Sequence, residues 1–84
     1  SVDVNDERYI KIKSILKNYK ENERHIINYH GIVIDEKDST IYCDITRDFD
    51  IKSETVIENV NRILKEEFPE YEIHVNIDTE FAGE

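Results

Sequence analysis

Four side chains with metal-ligating or polar donor chemistry fall on alternate positions of two apolar segments: Asp44 in Thr40–Asp48, and His74, Asn76 and Asp78 in Tyr71–Asp78. In an extended strand alternate side chains share a face. The other parity of each segment is apolar: Ile41, Cys43 and Ile45 in the first, Ile73, Val75 and Ile77 in the second. If the two strands are neighbours, two carboxylates, an imidazole and an amide oxygen gather on one surface. Such donors suit Zn²⁺ or a similar divalent ion, which takes about four N or O ligands at ~2.0–2.2 Å. His30 offers a second imidazole beside Gly31. Its parity is ambiguous, because inward-facing Ile32 and Ile34 would carry His30 inward too. A bulge at Gly31 would turn it out. A half-exposed sheet shows the same alternation without any ligand, and the chain has neither a CxxC nor an HExxH motif.

The elements that position these residues follow from periodicity. Ile12, Ile15, Leu16 and Tyr19 form one stripe of a helix predicted over 6–20, capped by Asn5 or Asp6. The β-branched and aromatic run 26–35 predicts a strand, Glu36–Ser39 a polar hairpin turn, and 40–48 the second strand. Val56, Ile57, Val60, Ile63 and Leu64 mark a second helix over 53–67, capped by Ser53 or Asp50 and ended by Pro69. The closing strand is predicted over 71–78. The order αββαβ predicts an α+β, truncated ferredoxin-like fold with a three-stranded mixed sheet. Strand two, helix two and strand three make a crossover long enough for parallel pairing, so both helices should cover one face and leave the other open.

Composition bounds the function. The 84 residues are expected to form one domain, 1–84, small enough to gain from a partner or a metal. Twenty acidic residues against eleven Lys and Arg give a net charge of −9. This argues against nucleic acid as a partner and favours cations near the surface. No apolar run reaches the ~20 residues of a membrane-spanning helix, so this stretch by itself is expected to be soluble. Ser1 in place of an initiator Met suggests a processed or excised piece. Cys43 is the lone cysteine, expected in the core as an inert hydrophobe. His25 is expected to be solvated, and the five tyrosines are expected to pack at edges with wet hydroxyls. Without a serine, cysteine or histidine group at nucleophile spacing or a glycine-rich phosphate loop, the expectation is no enzyme and no small-molecule substrate.

Several segments together resemble the C-terminal domain of the cation diffusion facilitator (cation efflux) family. Ile26-x-x-Tyr29-His30-Gly31-Ile32 is similar to the family's V-x-x-V-H-G-L run into the first strand. Arg62–Tyr71 is similar to its second helix and Phe-Pro exit, and Ile73–Asp78 to its closing strand, with Asp78-Thr79-Glu80-Phe81 similar to an Asp-x-Glu-aromatic tail. The resemblance runs from about Asp6 to Phe81. It implies a cytoplasmic domain of a cell-membrane metal exporter that forms a homodimer and docks beneath the membrane domain of the same parent. Cytosolic metal would stabilise closer pairing and promote proton-coupled export. Residue by residue, the resemblance implies a strand-one histidine at His30, a strand-two ligand at Asp44 and a closing aspartate at Asp78. Asn76 stands where many members carry histidine, and His74 lies two residues earlier. A His30, Asp44 and Asp78 set is oxygen-rich, so Zn²⁺ is expected first, with Mn²⁺ or Fe²⁺ as alternatives. A dimerisation-only module without metal, or a free-standing ferredoxin-like binding domain or small enzyme, also fits these residues.

Overall fold

A computed structural model of the chain describes residues 3–78. Thr79–Phe81, the aromatic tail of the resemblance, lie outside the described residues. The order is α1 (Glu7–Glu23), β1 (Ile26–Asp35), β2 (Thr40–Arg47), α2 (Ser53–Glu67) and β3 (Glu72–Ile77). This is the expected α+β, truncated ferredoxin-like arrangement. The sheet runs β1-β2-β3, with β2 central, antiparallel to β1 and parallel to β3. Among the described residues no helix is long and apolar enough to cross a membrane.

One core joins the layers. Ile12, Leu16 and Tyr19 of α1 and Val56, Val60 and Leu64 of α2 meet Ile26, Ile32, Ile41, Cys43 and Ile45 of the sheet, all buried. Ile73, Val75 and Ile77 of β3 pack on its rim. The residues of opposite parity on β2 and β3, from Tyr42 and Asp44 to His74 and Asn76, stay at least partly exposed.

Local chemistry moves several boundaries. α1 runs past Lys20 to Glu23, because Arg24 takes the left-handed conformation (φ 62°) and its N–H closes on the Lys20 carbonyl. At the start of α1, Asp6 is the cap, accepting from the Arg8 N–H at 2.8 Å. The N-cap of α2 is Lys52, with no side-chain cap bond, rather than Ser53 or Asp50. Ser53 Oγ instead accepts from Arg47 Nε at 2.9 Å, which ties the end of β2 to the helix start. Two further expectations are corrected. Tyr19 is only 6% exposed, and its hydroxyl meets His25 Nδ1 at 2.8 Å and accepts from Asn59 Nδ2 at 3.2 Å. Its hydroxyl is not wet and His25 is not simply solvated, because a buried phenol needs polar partners. Tyr71 likewise accepts from Arg8 Nη1 at 2.7 Å.

Candidate functional site on the open sheet face

β1 decides whether His30 can join the carboxylates, and it is irregular. His30 pairs with Asp44 and Val33 with Tyr42, so Gly31 and Ile32 together oppose Cys43 alone. This extra residue is a bulge, and Gly31 carries the left-handed backbone (φ 62°) that glycine adopts without strain. Tyr29 and Ile32 consequently both face the core, and His30 is exposed on the open face. A second register shift, between Ile26 and Asn28, repeats the device nearer the strand start.

The bulge also makes room. A Cβ built on Gly31 would lie 2.4 Å from Asp44 Oδ2, so a larger residue would displace that carboxylate. His30 Nε2 lies 3.8 Å from Asp44 Oδ2 and 3.8 Å from Asp78 Oδ2. The ring is half-exposed, whereas the Asp78 side chain is 18% exposed. Asp78 is held at the sheet end by its N–H, which donates to the Ile45 carbonyl at 2.7 Å and continues the parallel ladder past the last residue of β3. His30 Nε2 thus approaches two carboxylates, one on β2 and one just past the end of β3.

The other two candidates stand differently. Asn76 pairs in register with Asp44, and its Nδ2 donates to Asp44 Oδ1 at 3.2 Å. It orients the carboxylate from the side away from His30. His74 pairs with Tyr42, one row along the sheet, with ring centroids 5.4 Å apart. The structure therefore brings His30, Asp44 and Asp78 together, adds Asn76 as a support, and leaves His74 against Tyr42.

Ligands at ~2.1 Å around a tetrahedral ion lie about 3.4 Å apart, so the 3.8 Å separations ask for closure of a few tenths of an ångström. The donor types, one imidazole and two carboxylates, suit Zn²⁺, Mn²⁺ or Fe²⁺. Among the described residues, however, no group of three or more His, Cys, Asp or Glu side chains is already gathered tightly enough to hold a metal ion. The donor types thus match such an ion, while the described side chains form no preformed cage.

Cys43 lies beneath this face with its side chain in the core. Burial, with the Asp44 carboxylate adding to it, pushes its thiol up to about 12, which keeps it protonated and unsuited to ligation. The close approach of Gly31 to Asp44 is a contact between strands that no spacing in the sequence shows. The available signal was a glycine inside an otherwise β-branched run, which marks a bulge or a close approach. No protein-family model matches the chain, and neither a characterised protein nor a solved structure matches it.

Proposed function

We propose that this chain is a regulatory and dimerisation domain of a divalent-metal exporter of the cation diffusion facilitator kind, with His30, Asp44 and Asp78 as its cation ligands. The observation that carries the reading is His30 Nε2 at 3.8 Å from a carboxylate oxygen of both Asp44 and Asp78. The αββαβ order and the His30-Gly31 pair support the family comparison. A bound divalent ion would neutralise the two carboxylates and tie β1, β2 and the end of β3 together. The protein's part is to aim the ligands. The Gly31 bulge turns His30 outward, Asn76 fixes Asp44, and the Ile45 carbonyl fixes the Asp78 backbone.

Regulation requires that the ion bind one arrangement of the dimer more tightly than another. Thermal melts with added Zn²⁺ or Mn²⁺ should rise, and the double variant His30→Ala, Asp78→Ala should lose the rise. No shift at saturating metal would defeat cation sensing. A second reading, dimerisation without metal, draws on the exposed row of Val33, Tyr42 and His74 across the same face. Sedimentation with and without chelator separates the two, since only the first makes association metal-dependent.

A further inference from the structure

The cationic side chains are distributed unevenly. From Arg8 to Lys20 the chain has no acidic residue and carries Arg8, Lys11, Lys13, Lys17 and Lys20, within a protein of net charge −9. Two of these are engaged by carboxylates: Arg8 with Asp6 and Glu36, and Lys11 with Glu67 at 3.9 Å. Among the described residues Lys13, Lys17 and Lys20 have no ion pair. Their spacing places them along one flank of α1, and that flank borders a groove between α1 and the edge strand β1. Tyr9 and Tyr29, both half-buried, line this groove along its length, and Ile10 is 54% exposed at one end. Lys13 Nζ stands 5.9 Å from the Tyr9 ring centroid, within cation–π range.

We infer that this groove is a docking surface for an acidic, extended polypeptide segment with carboxylates on alternate residues. Charge complementarity selects the occupant. Lys13, Lys17 and Lys20 rise about 6 Å and then about 4.5 Å along the helix. Alternate residues of an extended chain are about 6.6 Å apart, a spacing that flexible lysines can follow. The residues between the carboxylates then point the other way, toward Tyr29 on the β1 wall of the groove. The two register shifts in β1 interrupt its edge, so recognition runs through side chains rather than by strand addition. An anionic bilayer fits less well, since the groove is concave and the rest of the domain is strongly acidic.

The test is fluorescence anisotropy of a labelled peptide of alternating Glu and Val titrated with the 84-residue chain. Binding should weaken about tenfold in the triple variant Lys13→Gln, Lys17→Gln, Lys20→Gln, as three exposed ion pairs of modest strength imply. A charge-matched control, Lys11→Gln, Lys37→Gln, Lys52→Gln, should retain the wild-type affinity, and circular dichroism should show both variants folded. Added salt should weaken the wild-type complex. Absence of binding, an equal loss in the two variants, or preference for phosphatidylserine vesicles over the peptide would overturn the assignment.

Discussion

Replacing Gly31 with alanine tests the positioning of the open face at its tightest point. Two separable penalties arise. An L-residue at φ 62° costs roughly 1–2 kcal/mol relative to glycine. The added methyl would also lie 2.4 Å from Asp44 Oδ2, so the Asp44 carboxylate must rotate away. Rotation gives up the Asn76–Asp44 hydrogen bond and the approach to His30, an exposed set worth on the order of 0.5–1 kcal/mol. The sum is about 2 kcal/mol, a fall of roughly 8–16 °C in melting temperature for a domain of this size. Thermal unfolding followed by far-ultraviolet circular dichroism reads it. In an Asp44→Ala background the second penalty has no target, so the same substitution should cost only the backbone part. An equal loss in both backgrounds would refute the contact with Asp44. An unchanged melting temperature would refute the bulge itself.

Two further outcomes follow from groups away from the face. The Cys43 thiol, buried and pushed up to about 12, should not react with a thiol reagent in the native protein at neutral pH, but should react fully once urea unfolds it. Asp6 is held down to about 2 by the Arg8 guanidinium, then by the Arg8 N–H. Its folded pKa lies below its ordinary value, so its contribution is present above about pH 4 and fades as pH falls toward about 2. Acid titration of Asp6→Asn should lack that component of the wild-type profile, and an identical profile would contradict it.

Much of the fold is legible in the sequence because burial and period coincide. β1 and α2 lie where periodicity puts them, at Ile26–Asp35 and Ser53–Glu67, since apolar stripes and a proline stop are local signals. The helix ends are less legible. Arg24 closing α1 and Arg47 claiming Ser53 are contacts that no spacing reveals. The candidate site divides in the same way. Asp44 and Asn76 come together because β2 and β3 are regular and parallel, so parity suffices. His30 joins them only because β1 breaks its alternation. The inward residues Ile26, Tyr29, Ile32 and Ile34 are spaced by three, three and two, a pattern that a period of two misreads. His25 is illegible in the sequence because its partner is the buried Tyr19 hydroxyl, itself anchored by Asn59 across the helix pair.

If His30, beside Asp44 and Asp78, is a cation ligand, its ring must respond directly to a divalent ion. Nitrogen-detected NMR of the three histidine rings during a Zn²⁺ titration tests it most directly. The His30 Nε2 resonance should shift to saturation, fail to shift in Asp78→Ala and return to its starting position with chelator, while His25 and His74 hold still. Rings that do not respond, or a response confined to His74, would contradict it.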